Sequence, residues 1–319
     1  MVYLNRPRIA LFGYRTVHLL LAMLCTVLLQ SCSQTGPVLI NTEHQSVNRN
    51  ERVRLLVLHY TAINWQQSLK ALTQPGATAV SAHYLLPESF DPTYPADKAL
   101  QVYQLVPETQ RAWHAGTSRW EDRSALNDQS IGIELVNQGW CHQRTVPFTD
   151  PATTNPVNNE LCLTPDFDPA QLQLLASLMK DILARNPEIS PTRVVAHSDI
   201  APSRKQDPGP RFPWQWLASQ GIGAWYDNAT LLKYWQGIRA LPTPRMVQRA
   251  LQRYGYGIVV TGEWDAQSRD VLLAFQRHFV PNRLSGEADP QTVAVLWALL
   301  EKYFPDSLSG SDSLALALQ

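Results

Sequence analysis

Three separated segments of the chain each place one metal-capable side chain beside an apolar run or a rigid turn. His59 ends the run L-V-L-H, His197 ends the run V-V-A-H, and Asp207 begins the turn D-P-G-P. Two imidazoles and one carboxylate are a ligand set that holds Zn²⁺ while leaving a fourth position open, as in catalytic rather than structural sites. The pattern therefore predicts metal-assisted hydrolysis.

Each of these residues, taken alone, also permits a simpler interpretation. A histidine at the end of an apolar run is commonly a satisfied core residue. An aspartate before Pro-Gly commonly bonds the backbone of its own turn. The combination favours a metal site, and Glu134 adds a carboxylate in the β-rich run S-I-G-I-E-L-V. Burying a charge in such a strand costs free energy, which favours a functional role for Glu134. The alternative is that Glu134 lies on an edge strand and faces solvent.

Five segments occur in the order found in one family of cell-wall hydrolases. They are L-H-Y-T-A, S-A-H-Y-L-L, A-W-H-A-G, N-D-Q-S-I-G-I-E-L-V-N and V-V-A-H-S-D-I-A-P-S-R-K-Q-D-P-G-P. Over about residues 50 to 220 the chain resembles the zinc N-acetylmuramoyl-L-alanine amidases, a family that includes phage lysozyme-type amidases and animal peptidoglycan recognition proteins. The resemblance implies an α/β fold with a mixed central β-sheet flanked by helices.

The resemblance also implies roles for individual residues. His59, His197 and Asp207 would bind one zinc ion. Glu134 would act as the general base. Lys205, two positions before the aspartate ligand, would face the oxyanion that develops on the substrate, although by position alone it is an ordinary surface lysine.

One position departs from the wider family. Phage and animal members carry a catalytic tyrosine just before the histidine that aligns with His83, and this chain has Ala82 there. Proton transfer would then fall to Glu134, as in the bacterial branch. His83, His114 and Asn137 lie within the matched segments and are expected to line the substrate cleft. For the two histidines, support of the metal ligands through hydrogen bonds is also expected, and simple packing is the alternative.

The N-terminus has the pattern of a secretory signal. Three arginines precede an apolar run over 17–29, which is shorter than the about 20 residues that a membrane span needs. The ending L-Q-S-C resembles a bacterial lipoprotein box, which implies that residues 1–31 are removed, that Cys32 is lipidated and that 32–50 form a tether. Because Ser33 rather than Asp follows, an outer-membrane lipoprotein facing the periplasm is expected. A soluble periplasmic enzyme and an uncleaved anchor helix are the alternatives.

The composition fits a secreted globular enzyme. The chain has 27 basic and 27 acidic residues, and removing the three signal arginines leaves 24 against 27, a net charge of −3. This balance favours neither DNA nor RNA as a partner, and a monomer is expected. Cys141 and Cys162 are expected to form a disulfide across the polar insertion between them, and a metal site that includes His142 is the alternative.

The length of the chain requires more than one domain. Apolar periodicity predicts a helix over 169–185, with Asp168 as its N-cap. Strands are predicted at 55–59, 83–86, 131–136 and 193–197. This alternation favours an α/β domain over 51–220, followed by a connecting helix and linker over 221–242.

A change of pattern marks a small three-helix domain over 243–304, followed by a tail over 305–319. The segments T-G-E-W-D at 261–265 and S-G-E-A-D at 285–289 are near-copies, each of which places a turn glycine and an aspartate N-cap before a helix. The domain resembles the peptidoglycan-binding domains that are often joined to wall hydrolases. The alternative is a helical appendage that only stabilises the catalytic domain.

Together these patterns predict a zinc amidase that cuts between the lactyl group of N-acetylmuramic acid and the first L-alanine of the stem peptide. Its expected partners are peptidoglycan, muropeptides and, through the lipid, a membrane. Two alternatives stay open. One is a non-catalytic peptidoglycan-recognition protein on the same fold, and the other is a zinc peptidase that cuts within the stem peptide.

Overall fold

The structure, a computed structural model, describes residues 39–76, 79–137 and 165–308. Contacts divide the chain into two units, Met1–Asn50 and Glu51–Gln319. The described part of the first unit contains no helix or strand and is exposed throughout. No helix within the described ranges combines the length and the apolar character that crossing a membrane requires. The predicted signal peptide and the predictions for Cys32, Cys141 and Cys162 lie outside the described residues.

A five-stranded mixed sheet lies at the centre of the second unit. Its strands are β1 (Leu55–Tyr60), β2 (Tyr84–Leu86), β3 (Tyr103–Gln104), β6 (Ser130–Leu135) and β7 (Val194–Ala196), and β4 (Arg119–Trp120) and β5 (Arg123–Ser124) form a separate hairpin. The strand order is β3-β2-β6-β1-β7, in which β3 is antiparallel to β2 and the other neighbours are parallel. Strand β1 is apolar and fully buried over 55–58, because a central strand in such a sheet is covered on both faces.

Helices cover this sheet and form the C-terminal region. They are α1 (Trp65–Thr73), α2 (Pro169–Arg185), α3 (His197–Ile200), α4 (Trp214–Ser219), α5 (Asn228–Gly237), α6 (Pro244–Tyr254), α7 (Ala266–Phe279) and α8 (Pro290–Tyr303). Helix α2 begins where the sequence predicts, since the Asp168 side chain accepts a hydrogen bond from the Ala170 N–H at 2.9 Å. The predicted α/β class, with a mixed central sheet, flanking helices and a helical C-terminal region, is confirmed.

Two buried glutamines hold the repeated turns of the C-terminal region. Gln248, on α6, donates to the Glu263 carbonyl at 2.8 Å and accepts from the Gly262 N–H at 2.8 Å. Gln276, on α7, makes the equivalent pair of bonds with the second turn, residues 285–289. Because these bonds pair backbone groups of each turn with a side chain of the preceding helix, each glutamine ties one helix to the turn that starts the next. The predicted N-caps of α7 and α8 are confirmed (Asp265 and Asp289).

The C-terminal helices and the sheet share one hydrophobic core. A single buried cluster includes Leu55 and Val57 of β1 together with Phe275 of α7. The Trp120 ring, on the hairpin, lies 4.9 Å from the Tyr256 ring. The described residues between 51 and 308 therefore belong to one compact unit, and helix α5 lies within the predicted connecting helix and linker over 221–242. The sequence of an amphipathic helix shows that the helix has an apolar face, but it does not show which part of the protein covers that face.

A glycine at the end of α6 allows this packing. At Gly255, φ is +138° and an added Cβ would lie 2.6 Å from Cε2 of Trp120. At Gly221, φ is +80° and an added Cβ would meet nothing within 4 Å. An alanine at either position would have a strained backbone, at a cost of about 1–2 kcal/mol. Only at position 255 would its Cβ also overpack the core.

We therefore expect Gly255→Ala to lower the free energy of unfolding by roughly 1–3 kcal/mol more than Gly221→Ala does, because overpacking adds to the backbone strain. Denaturant-induced unfolding of the full chain, followed by tryptophan fluorescence, measures both variants against the unaltered protein. Equal losses in the two variants would show that Trp120 does not pack tightly against the end of α6.

Candidate active site

Three neighbouring strands bring the candidate residues to one edge of the sheet. Strands β1 and β6 run parallel in a register that pairs His59 with Glu134. On the other side of β1, Leu58 pairs with Ala196, and His197 follows as the first residue of α3. The edge at the carboxyl ends of parallel strands is the usual place for a ligand site in such sheets.

Asp207 reaches the same point from the loop after α3. Its backbone carbonyl accepts a hydrogen bond from the Ser198 N–H at 3.0 Å. Its Oδ2 atom lies 3.0 Å from Nδ1 of His59 and 3.0 Å from Nδ1 of His197, and the two Nδ1 atoms are 2.9 Å apart. All three side chains are buried. The structure thus brings together the three residues predicted to bind a metal.

The far side of the His197 ring determines which of its nitrogens carries the proton. His197 Nε2 lies 3.2 Å from the Ala115 carbonyl oxygen. A carbonyl oxygen only accepts hydrogen bonds, so Nε2 is the protonated nitrogen of the neutral ring. The Nδ1 atom then presents its lone pair to Asp207 and His59.

A chain of hydrogen bonds fixes the His59 ring in the same way. The Ser130 hydroxyl donates to the Leu126 carbonyl at 2.6 Å and accepts from Nε2 of His114 at 3.2 Å. The other nitrogen of His114, Nδ1, therefore accepts from Nε2 of His59 at 3.0 Å. With its proton on Nε2, His59 also directs an Nδ1 lone pair toward the centre of the site.

Burial keeps these groups in the ionisation states that bind metals. Burial lowers the pKa of His59 to about 4, against the opposing effect of Asp207. Burial by itself raises the pKa of Asp207, but His197 and His59 outweigh it and hold that pKa well below its ordinary value. Near neutral pH the site therefore contains a neutral His59 and an ionised Asp207, the forms that metal binding requires.

The three donor atoms fit a metal ion. The hydrogen bonds described above leave no proton between the two Nδ1 atoms. The lone pairs of these two nitrogens and the Asp207 carboxylate oxygen lie within 3.0 Å of one another and therefore repel. A divalent cation removes that repulsion. Two imidazole nitrogens and one carboxylate oxygen match the three-ligand set of catalytic metal sites that keep an open position.

Glu134 and Lys205 lie in the same cleft as the three donors. The Oε2 atom of Glu134 is fully buried and has no hydrogen-bond partner among the described residues. Burial, with a smaller contribution from Asp207, raises the pKa of Glu134 well above its ordinary value, and the charge of Lys205 opposes this shift. A cleft carboxyl with a raised pKa suits a group that takes up and releases a proton.

The cleft has a volume of about 200 Å³ and contains residues that sequence reasoning did not single out. Trp113 and Ser81 line it, and Trp113 is 52% exposed. Their two segments are joined because the Trp113 N–H donates to the Ser81 hydroxyl at 2.9 Å. Trp113 stands in the matched A-W-H-A-G segment, but a sequence does not distinguish an exposed indole from a packed one.

The three predicted cleft residues have different positions. His114 lines the cleft and hydrogen-bonds to His59. His83 does not line it, because this fully buried ring accepts from the Gly132 N–H at 3.0 Å and joins β2 to β6. Asn137 does not line it either, because its buried amide donates to the Asp166 carbonyl at 3.4 Å. His83 and Asn137 are therefore not among the described residues that line this cleft, and a role for them in substrate binding stays a prediction.

Comparison with known protein families matches most of the chain. Residues 49–210 match the N-acetylmuramoyl-L-alanine amidase family, and residues 242–296 match a putative peptidoglycan binding domain. The N-acetylmuramoyl-L-alanine amidase AmiD of Escherichia coli is 45% identical over 245 residues, which are 76% of this chain and 80% of AmiD.

Two similar proteins have solved structures with bound muropeptides. AmpDh3 from Pseudomonas aeruginosa, solved alone and with an anhydromuramic pentapeptide, matches with a TM-score of 0.72 and 42% identity, over 83% of this chain and 98% of that one. The AmiD structure contains anhydro-N-acetylmuramic acid-L-Ala-D-gamma-Glu-L-Lys as its substrate. It matches with a TM-score of 0.67 and 44% identity, over 83% of this chain and 95% of that one.

Proposed function

The chain belongs to the N-acetylmuramoyl-L-alanine amidase family, and we propose that it hydrolyses the amide between N-acetylmuramic acid and L-alanine in peptidoglycan fragments with one zinc ion. The proposal is carried by the convergence of the His59, His197 and Asp207 donor atoms in a cleft that also contains Glu134 and Lys205. The muropeptides in the AmiD and AmpDh3 structures support this substrate class.

His59, His197 and Asp207 would hold the zinc ion. Zinc, when bound, supplies the acidity that amide hydrolysis needs near neutral pH, because it lowers the pKa of water from about 15.7 to about 7. Glu134 accepts one proton of the attacking water at its buried carboxylate as the water oxygen adds to the carbonyl carbon. It then donates that proton to the alanine nitrogen as the C–N bond breaks. The Lys205 ammonium stabilises the negative charge that develops on the carbonyl oxygen.

Mass spectrometry of the products tests this function. We expect digestion of purified muropeptides by the full-length protein to release an intact stem peptide with a free L-alanine amino group and a sugar with a free lactyl carboxylate. A zinc peptidase acting within the stem would instead leave L-alanine on the sugar. A non-catalytic recognition protein would release nothing, and either result would contradict the proposal.

Matched variants separate the ligands from the proton carrier. Glu134→Gln keeps the size of the side chain and should retain one zinc per chain while kcat falls by about 10²–10⁴-fold, the usual contribution of a general base. His59→Ala should lose both zinc and turnover, because it removes a ligand. Normal kcat in a zinc-loaded Glu134→Gln protein would contradict the role of Glu134.

We also propose that the C-terminal region binds peptidoglycan at the cleft between its repeated turns. This cleft of about 610 Å³ is lined by Trp264 and Asp265 of the first turn, by Arg269 and by the second turn, 285–289. Trp264 is 51% exposed. An exposed indole stacks on the apolar face of a sugar ring, and a guanidinium pairs with a peptide carboxylate, so the two side chains suit a wall fragment.

Trp264→Ala should weaken co-sedimentation with insoluble peptidoglycan sacculi by about tenfold, the equivalent of roughly 1.4 kcal/mol, and leave cleavage of small soluble muropeptides unchanged. Trp235→Ala is the matched control, because Trp235 is 50% exposed and does not line this cleft. Equal binding by the two variants would exclude the cleft as the wall-binding surface.

We propose, in addition, that Cys32 carries lipid and attaches the protein to the outer membrane, facing the periplasm. The L-Q-S-C ending of the N-terminal apolar run supports this proposal. The exposed and irregular segment 39–50 suits a tether. A flexible tether of this kind lets an enzyme reach the wall from a membrane while limiting its range.

Cys32→Ala should abolish incorporation of labelled fatty acid and move the protein from the membrane fraction to the soluble fraction, because acyl chains contribute about 0.8 kcal/mol per buried CH₂ to membrane binding. Cys25→Ala, which changes the other cysteine of the N-terminal segment, should leave both properties unaltered. Recovery of the unaltered protein as an unlabelled soluble periplasmic species would overturn the lipid anchor.

A further inference from the structure

Helix α3 carries one of the three donor residues but is only one turn long. It spans His197–Ile200 and begins with the donor His197. An isolated helix shorter than about 12–15 residues is marginal in water, so the position of α3 must come from contacts with the rest of the protein.

Three hydrogen bonds of this helix converge on Asp199, which is fully buried. Its carboxylate accepts three hydrogen bonds: from the Ala196 N–H at 2.8 Å, from the Tyr256 hydroxyl at 2.7 Å and from Nδ1 of His278 at 2.7 Å. A buried carboxylate is stable only with such partners. Two of the three donors come from the C-terminal region, since Tyr256 follows α6 and His278 lies on α7.

Both of these donor rings are held in place by their neighbours. The His278 ring stacks on the Trp214 ring, with centroids 3.8 Å apart and planes inclined by 20°. The Tyr256 ring packs against the Trp120 ring at 4.9 Å. Tyr256 and His278 are themselves buried, so the geometry of their bonds to Asp199 is restricted from several sides.

The movement of α3 would affect two of the three donors. His197 lies two residues before Asp199 in the same turn. The N–H of Ser198, between them, donates to the carbonyl of Asp207 at 3.0 Å. A displacement of Asp199 would therefore alter the positions of both His197 and Asp207 relative to His59.

We infer that Tyr256 and His278 are positioning residues of the metal centre, which act through Asp199 and α3 on His197 and Asp207. The C-terminal region then has a second role besides binding the wall, because it completes the support of the catalytic site. This inference rests on the proposed zinc site, and measuring zinc binding by the unaltered protein tests that site separately.

Zinc affinity of full-length variants tests the inference. Tyr256→Phe removes one hydroxyl, and His278→Phe removes the donor while keeping a ring that stacks on Trp214. Each should weaken zinc binding in competition with a chromogenic chelator, by up to the about 10–100-fold that the loss of a direct hydrogen-bond partner of a ligand causes. The visible absorption of the cobalt(II)-loaded protein should change, and kcat should fall more than KM rises.

Two further variants control for general destabilisation. Tyr254→Phe makes the same change in the same buried aromatic cluster, but no hydrogen bond joins the Tyr254 hydroxyl to Asp199, so zinc affinity should stay unaltered. His278→Asn restores an N–H donor and should recover part of the lost affinity. If His278→Phe fails to fold, Tyr256→Phe alone decides the question.

Unaltered zinc affinity and cobalt spectrum in Tyr256→Phe, with only a lower melting temperature, would overturn the inference and leave a purely structural bond. If the unaltered protein itself bound no zinc, the proposed function would fail instead.

Discussion

The crowding of two imidazole nitrogens and one carboxylate oxygen within 3.0 Å of one another is the constraint on which the structure depends. Such a group is unfavourable by itself, because acceptor atoms repel and burial removes the water that would solvate them. The protein holds them together by giving the opposite nitrogen of each ring a partner. The Ala115 carbonyl accepts a hydrogen bond from Nε2 of His197, and His114, itself bonded to Ser130, accepts one from Nε2 of His59. A cation at the centre would offset the repulsion that remains between the three donor atoms.

The parallel sheet makes this arrangement possible. The register of β1 with β6 sets His59 beside Glu134, and the pairing of β1 with β7 brings His197 to the other side. Hydrogen bonds from the C-terminal region reach Asp199 on the helix that His197 begins. The region that contains the metal-binding residues and the C-terminal region are therefore joined by hydrogen bonds as well as by the peptide chain. A substitution in one region can thus alter the other.

The sequence predicts the donor residues well because each is part of a local motif beside an apolar strand. It predicts α2 and the N-cap Asp168 for the same reason, since caps and helical periodicity are local. Three features depend on contacts distant in sequence and were not predictable. His83 and His114 occur in similar apolar contexts, yet one joins two strands and the other supports His59. The exposure of the Trp113 side chain and the shared core around Trp120 depend on which faces of the helices and strands pack together in the folded protein.

The most direct test of the metal centre is anomalous diffraction at the zinc absorption edge from crystals of the zinc-loaded, full-length protein. A single strong peak is predicted, within bonding distance, about 2.0–2.2 Å, of Nδ1 of His59, Nδ1 of His197 and a carboxylate oxygen of Asp207. A stoichiometric zinc ion bound through other residues, such as His114 or Glu134, or no zinc in a protein that is active without it, would contradict the arrangement.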